Sequence, residues 1–343
     1  MHETASFLIA GGIFVVMGIA SSMFERLPCS TAMFYLAAGF VLGPAGVGLL
    51  ALSLPHDAAL LRILTQIALL VSLFAIGLRL RVPVLDAMWS LPLRLGFLAM
   101  IVTVPLLTLA GVGILKLGWG PALLLAAILA PTDPVLAHDV QVRHSGDLDR
   151  VRFALSGEGG LNDGVALPFV LAGLALCSDP QAGVERVFSI GFLGMTIWGI
   201  GGAIAVGALL SWTTTHAVTW LRTHHAQALG LEGFFALGLI ALSYGAAQLL
   251  HTFGFLAVFA AGVAMRRAEH RASGKRSAPA AIGAVDPGDI QATAAHPRKD
   301  GPRADVLPLV PLALAVVTAS VVVHGISATP LMNWYQRLRG VAR

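Results

Sequence analysis

Long apolar runs separated by short polar loops dominate the chain, and they predict membrane-spanning helices. The ninth of ten such runs is short enough to be tilted, re-entrant or paired with its predecessor. Runs this long and this rich in Leu, Ala and Gly lack the alternation of a barrel strand, so the predicted fold class is an all-α polytopic membrane protein. The predicted segments are 6–24, 31–52, 62–78, 91–115, 121–141, 153–177, 187–211, 231–250, 252–267 and 306–328.

Two polar stretches interrupt this pattern. Residues 212–228 mix aromatic and basic side chains, which is typical of a stretch at the membrane interface. Residues 268–304 show no apolar period and are predicted to form a disordered cytoplasmic loop. The chain therefore divides into a membrane domain, residues 1–267, followed by this loop and by a last membrane segment with a C-terminal tail, residues 305–343.

Composition and charge agree with lipid as the solvent. Of the 343 residues, 57% are hydrophobic and 12% are charged, whereas a soluble domain carries roughly 25% charged residues. The net charge of +4 does not indicate nucleic acid, because the basic residues lie mostly in short loops. Catalytic Ser/His arrangements, phosphate loops and zinc-ligand spacings do not occur, so neither an enzyme nor a cofactor is predicted.

The distribution of basic loops predicts the orientation of the chain. Lys and Arg are concentrated after the odd-numbered segments, so these loops are expected in the cytoplasm, the N-terminus outside, and the chain in a cell inner membrane. Ten spans would place the basic C-terminal tail outside, which conflicts with the same rule. The basic residues that follow odd-numbered segments are Arg26, Arg79, Arg81, Arg143, Arg150, Arg152, Arg222, Arg266, Arg267 and Arg271.

One acidic residue lies beside a predicted helix break. Asp133 falls between Pro131 and Pro134 in the middle of an apolar run. Prolines remove helical hydrogen bonds and clash with preceding carbonyls, so the helix must break and leave backbone carbonyls free at membrane depth. Such interrupted helices supply ion sites in secondary transporters. The alternative is a proline kink in which Thr132 bonds back to the helix and Asp133 caps the second half-helix.

A second group of polar residues lies on the next apolar segment. Glu158 and Asn162 are four residues apart and share a helix face, with Asp163 one step further round. Small residues on this segment let another helix approach closely, and the expected neighbour is the broken helix that carries Asp133. The alternative is that the glycines serve packing, while Asn162 and Asp163 bond across helices. The glycines are Gly157, Gly159, Gly160 and Gly164.

These acids have no fixed cation deep in any span, and a buried acid is a functional hypothesis by default. Hydrocarbon disfavours a charged carboxylate, so the group can hold either a proton or a desolvated cation. Oxygen ligands from carboxylates, Asn162, Thr132 and free carbonyls suit hard cations. Competition of two cations for one site, carried alternately to each face of the membrane, is antiport.

Thr132-Asp133-Pro134, followed by Glu158 and then Asn162-Asp163, resembles the signature of the monovalent cation:proton antiporters in their Na⁺/H⁺ exchanger branch. The match runs over residues ~7–267 and resumes near 306. Further matching stretches are Leu27-Pro28 to Tyr35-Leu36, Gly39, Leu42-Gly43-Pro44, Leu73 to Leu78 and His324 to Pro330.

The resemblance implies inverted repeats with crossed broken helices, a homodimer and elevator-type exchange, with Na⁺ (or K⁺ or Li⁺) and H⁺ as substrates in a lipid bilayer. It implies that Asp163 carries the ion or proton, that Asp133 and Thr132 are its partners in binding Na⁺, and that Asn162 orients the site. Glu158 matches a glutamate that steadies the core and reaches towards the ion.

The chain departs from the family pattern in two ways. Gly159 stands where the family usually has a serine ligand, for which Ser156 is a candidate substitute. Part of the second repeat is expected to be absent, because nothing between Met265 and Val306 matches it. The main alternative is therefore a degenerate, non-transporting homologue that acts as a membrane partner or regulator. A cation channel and an intramembrane enzyme are further alternatives.

Overall fold

The computed structural model describes a set of helices joined by short connections, with no strand among the described residues. The prediction of an all-α polytopic membrane protein is confirmed. The structure describes residues 11–12, 15, 31–44, 46–48, 54–80, 82–83, 86–132, 142, 149–225, 232–273, 309 and 311–323. The helices are α1 (Thr31–Leu42), α2 (Leu54–Arg79), α3 (Ala87–Gly113), α4 (Trp119–Leu129), α5 (Arg150–Ser178), α6 (Pro180–Val187), α7 (Ile190–His225), α8 (Glu232–Leu249), α9 (Gly254–Ser273) and α10 (Pro311–Val323).

Four of the described helices are long and apolar enough to cross a membrane: α2, α3, α5 and α7. Shorter apolar helices are Met33–Leu42, Trp119–Leu129, Gly233–Leu249 and Pro311–Val323. Many large apolar side chains are exposed on the outside of the helices, including Ile114, Phe188 and Ile190. An apolar exterior of this extent is what a lipid environment requires.

The predicted segments from 31–52 to 252–267 each overlap a described helix. Of segment 6–24, only residues 11, 12 and 15 belong to the described part of the chain, and they are helical. Helix α10 lies within the predicted segment 306–328.

Three features differ from the predicted segments: the ends of two helices and the presence of a further short helix. The interfacial stretch 212–228 is helical as far as His225, because α7 continues without a glycine or proline to stop it. Helix α9 runs to Ser273, six residues into the stretch 268–304 that was predicted to be disordered. Residues 274–304 lie outside the described residues.

The third difference is helix α6, which follows α5 after a single residue. Asp179 accepts hydrogen bonds from the backbone N–H groups of Gln181 and Ala182, at 3.0 and 3.1 Å, and Pro180 takes the first helical position. An N-cap aspartate followed by proline is a standard start signal. Helix α6 was not among the predicted segments, because it is short and polar and therefore contains no long apolar run.

Helix α9 lies at the centre of the packing. Its residues from Leu256 to Val263 are buried or nearly so. A Cβ atom placed on Gly77 of α2 would lie 2.6 Å from the carbonyl oxygen of Phe259, and one on Gly164 of α5 would lie 2.9 Å from Cβ of Leu256. Gly207 of α7 likewise faces the backbone of α9. Helix α9 is therefore held by close contacts with three neighbours, a form of packing that small residues allow within membranes.

Helix α5 is held equally closely on its other sides. A Cβ atom on Gly173 would lie 2.8 Å from Cα of Leu124 in α4, and one on Gly120 of α4 would lie 2.7 Å from the backbone nitrogen of Cys177. The helix begins at Asp149, whose carboxylate caps the N–H groups of Val151 and Arg152. These contacts fix the depth of α5 against α4, and the two helices bring the candidate site together.

Candidate functional site

Helix α4 ends in the middle of its apolar run. Its last residue is Leu129, and the N–H of Ala130 closes the final turn on the carbonyl of Ala126 at 2.9 Å. Pro131 follows, and it has no N–H with which to continue the helix. Asp133 and Pro134 lie outside the described residues.

Thr132 joins the end of α4 to α5 through two hydrogen bonds. The Asn162 side-chain Nδ2 donates to Thr132 Oγ1 at 2.7 Å, and Thr132 Oγ1 donates to Oε1 of Glu158 at 3.4 Å. Glu158 and Asn162 are one helical turn apart, so a single hydroxyl reaches both. A hydroxyl has one proton to give and lone pairs to accept with, and this arrangement uses both functions.

Burial differs among the three candidate site residues of α5. Asn162 is 1% exposed, whereas Glu158 and Asp163 are half-buried. Asn162 Oδ1 is buried and has no hydrogen-bond donor among the described residues. A buried amide oxygen without a donor is costly, and it is an acceptor that a cation can satisfy.

The backbone of α5 offers another oxygen beside Asp163. Pro168 lies inside the helix. Since proline has no N–H, the carbonyl of Gly164 cannot receive its helical hydrogen bond from residue 168. Gly164 directly follows Asp163, so this turn of α5 combines a carboxylate with a carbonyl that lacks its usual donor.

Helix α3 reaches the same level of α5 through a widened turn. Residues Arg94–Ala99 form a π-helical segment, and a Cβ atom on Gly96 within it would lie 3.7 Å from the backbone nitrogen of Asn162. Such segments often occur at functional sites. No pattern in the apolar residues indicates this one, so sequence reasoning did not find it.

The glycines of α5 face other helices than the one expected. A Cβ atom on Gly157 would lie 2.5 Å from Pro92 of α3, Gly160 faces the ring of Phe259 in α9, and Gly164 also faces α9. Gly159 is buried. A glycine of α5 that does face α4 is Gly173, where a Cβ atom would lie 2.8 Å from Cα of Leu124.

Ser156, considered as a substitute for the missing serine at position 159, is engaged with the backbone. Its Oγ accepts a hydrogen bond of 2.9 Å from the N–H of Val142, and it is 2% exposed. Arg79, the last residue of α2, donates from Nη1 to the carbonyl of the same valine at 3.5 Å. These residues were not predicted to act together, because their contact depends on tertiary structure.

The oxygens gathered here are a hydroxyl, an amide and carboxylates, a set that suits a hard cation. A carboxylate in general can hold either a cation or a proton. Thr132, Asn162 and Glu158 are brought together directly, and Asp163 lies on the next position of the same helix.

Comparison with known proteins identifies relatives of the chain. A family model described as sodium/hydrogen exchanger, transmembrane, matches residues 12–277. The chain is 30% identical over 202 residues to the K(+)/H(+) antiporter NhaP of Alkalimonas amylolytica, an alignment that covers 59% of this chain and 34% of the relative. The aligned part therefore spans about a third of the length of that relative.

Proposed function

Because the chain belongs to the sodium/hydrogen exchanger family, we propose that it is a secondary transporter that exchanges a monovalent cation for H⁺ at a carboxylate site between α4 and α5. The members of this family are transporters rather than enzymes. The observation that carries the proposal is the hydrogen-bonded sequence Asn162–Thr132–Glu158, formed where α4 stops within its apolar run.

In this proposal Asp163 holds the proton or the cation in turn, and Asp133 is its partner in binding the cation. Thr132 and Asn162 contribute neutral oxygens, and Asn162 Oδ1 is available because no described donor occupies it. Glu158 fixes Thr132 and adds negative charge near the cation. A dehydrated cation needs several such oxygens to replace its water ligands.

Coupling follows from competition for the same carboxylate. A proton on Asp163 removes the charge that attracts the cation, and a bound cation keeps the proton away. If the site opens to one face of the membrane at a time, each turnover moves one species in each direction. We place the chain in a cell inner membrane as a homodimer, with its N-terminus outside.

Sequence reasoning favours Na⁺ as the cation, whereas the name of the relative gives K⁺. The ligand types serve either ion. Comparison of equal concentrations of NaCl, KCl and LiCl in the assay below therefore decides the substrate.

The test uses inverted membrane vesicles acidified inside, with a pH-sensitive dye that is quenched by the gradient. The wild-type chain is expected to dequench the dye on addition of the cation, and Asp163→Asn to abolish the response. Asp179→Asn is the matched control, because it makes the same chemical change at a helix N-cap, where asparagine caps as well as aspartate. A response that survives in Asp163→Asn at the wild-type level would refute the site.

A second candidate is favoured by Gly159, which lacks the hydroxyl that the family usually has at this position. In that case the chain is a non-transporting homologue that acts through a membrane partner. It would bind the cation, measured as thermal stabilisation of the purified protein, without dequenching the dye.

A further inference from the structure

Helix α9 is too short to cross a membrane. Arginines avoid hydrocarbon, so Arg266 and Arg267 place one end of its apolar part at or beyond the boundary of the hydrocarbon core. From Gly254 to Arg266 the helix rises by only about 18 Å, whereas the core is about 30 Å thick. Neither α9 nor its neighbour α8 is among the four described helices that are long and apolar enough to span it.

The start of α9 lies well short of the end of α5. Gly164 of α5 faces Leu256, near the start of α9. Gly160, one turn earlier in α5, faces Phe259, about one turn later in α9, so the two helices are antiparallel. From Gly164, α5 rises by about a further 21 Å to its last residue, Ser178. The beginning of α9 is therefore far from the membrane face at which α5 ends.

Helix α7 gives the same depth for the turn between α8 and α9. Gly199 of α7 lies against the ring of Phe253, whereas Gly207 faces the backbone of Ala257, so α7 and α9 run in the same direction. From Ile190 to Gly199, α7 rises by about 14 Å. The polar helix α6 joins the end of α5 to the start of α7 and marks the membrane face. The turn therefore lies roughly 14–17 Å inside that face, about half of the hydrocarbon thickness.

The turn is attached to α7, and it presents two polar side chains. Trp198 Nε1 of α7 donates to the carbonyl of Leu250 at 3.0 Å. His251 follows the end of α8 with a φ of 55°, in the left-handed region where a helix end usually has glycine. The side chains of His251 and Gln248 are both exposed. Glycine would serve a turn that only reverses the chain, so the histidine indicates a use for its side chain.

Polar side chains and non-helical backbone at membrane depth are tolerated where protein buries them or where water reaches them. The described residues leave Gln248 and His251 exposed. We therefore propose that α8 and α9 form a re-entrant hairpin whose turn lines a water-filled recess, open at the membrane face where α7 begins. Because Leu256 lies at the level of Gly164, beside Asp163, the recess reaches the depth of the proposed site. Its use as an access route for the cation and the proton rests on the proposed function.

The experiment places single cysteines in the full chain, after Cys29→Ser and Cys177→Ser have removed its two native thiols. The reporters are His251→Cys at the turn, Phe188→Cys at an exposed position just before α7, and Leu242→Cys at an exposed apolar position of α8. A nitroxide label at position 251 is expected to lie roughly 10 Å or more deeper in the bilayer than one at position 188. Its depth is measured by its accessibility to water-soluble and lipid-soluble paramagnetic relaxants.

Reaction with a membrane-impermeant, positively charged methanethiosulfonate detects water at the turn. In right-side-out and inverted vesicles, His251→Cys is expected to react from the same side as Phe188→Cys and within about tenfold of its rate. It is expected to react about a hundredfold or more faster than Leu242→Cys, because a thiol in hydrocarbon does not ionise. Gln248→Cys is expected to behave like His251→Cys, and it decides the question if the turn does not tolerate cysteine at position 251.

The dye assay tests the recess as an access route. Reaction of the cysteine at position 251 is expected to slow cation-dependent dequenching at least about fivefold, and reaction at position 188 to change it by no more than about twofold.

Equal depths at positions 188 and 251 would overturn the re-entrant hairpin. A deep label at position 251, combined with a cysteine there that reacts as slowly as that at position 242, would overturn the recess. A transporting chain whose rate is unaffected by reaction at position 251 would overturn the access route. A wild-type chain without antiport would refute the transport function alone, since depth and reactivity decide the recess without it.

Discussion

The side-chain amide of Asn162 donates a 2.7 Å hydrogen bond to the hydroxyl of Thr132, across 30 positions of the sequence. The same hydroxyl of Thr132 donates a hydrogen bond to Oε1 of Glu158. The helix that ends at a proline and the helix that carries the carboxylates are thus joined by one hydroxyl.

Replacement of that hydroxyl tests its role. Thr132→Val keeps the shape of the side chain but leaves the buried amide of Asn162 without its acceptor, which costs about 1–3 kcal/mol. We expect the half-saturating cation concentration to rise roughly tenfold, measured by dequenching in inverted vesicles. Thr132→Ser retains the hydroxyl and is expected to bind within about twofold of wild type; equal losses in the two variants would contradict a role for the oxygen.

Glycine packing between α5 and α9 gives a prediction about stability. Gly160→Ala places a methyl group against the buried ring of Phe259 and is expected to destabilise the fold by about 1–3 kcal/mol. Thermal unfolding of the purified protein measures the loss. Gly201→Ala is the control, because nothing lies within 4 Å of its Cβ position, and it is expected to be neutral or to stabilise by up to about 1 kcal/mol. Partial recovery in Gly160→Ala/Phe259→Leu would assign the effect to this contact.

A substitution at Pro168 tests whether the carbonyl of Gly164, beside Asp163, is a ligand of the cation. Pro168→Ala supplies an N–H that can bond to the carbonyl of Gly164, so the oxygen is no longer available to the cation. We expect weaker cation binding, by roughly three- to tenfold, without loss of folded protein. Pro105→Ala changes a proline inside α3 on an exposed face, and it is expected to leave binding unchanged. Unaltered binding in Pro168→Ala would exclude this carbonyl as a ligand.

The connection between α2 and α3 depends on a shared acceptor. The carbonyl of Val82 receives hydrogen bonds from Trp89 Nε1 and from Arg267 Nη2, both at 3.1 Å, and the guanidinium lies 5.7 Å from the centre of the indole ring. Because the two side chains share one acceptor and one contact, Trp89→Phe and Arg267→Met are expected to be non-additive, with a coupling energy of about 0.5–3 kcal/mol in thermal unfolding. Strict additivity would show that the two bonds act independently.

The parts of the fold that sequence reasoning reached are those set by local physics. Two prolines flanking Asp133 predict a helix break, and α4 does end just before Pro131. The spacing of Glu158 and Asn162 predicts a shared face, and Thr132 contacts both. That Asp133 lies close to Asp163 remains a prediction.

The remaining features depend on partners that the sequence does not display. Gly160 indicates that another helix packs closely against α5, but the sequence does not show that the contacting residue is Phe259, nearly a hundred positions away. The π-helical turn around Gly96 arises where α3 meets α5, so no local pattern indicates it. Helix α6, by contrast, had a visible signal in Asp179-Pro180.

The tight enclosure of α9 constrains how this protein can diverge. Glycines of α2, α5 and α7 pack against α9, so a larger side chain on either side of these contacts does not fit unless its partner becomes smaller. Volume gained on α5 must therefore be matched by volume lost on α9, so positions 160 and 259 are expected to covary reciprocally among homologues. We therefore expect substitutions at the centre of this protein to exchange bulk between paired positions, and those on its apolar outer surface to be tolerated singly.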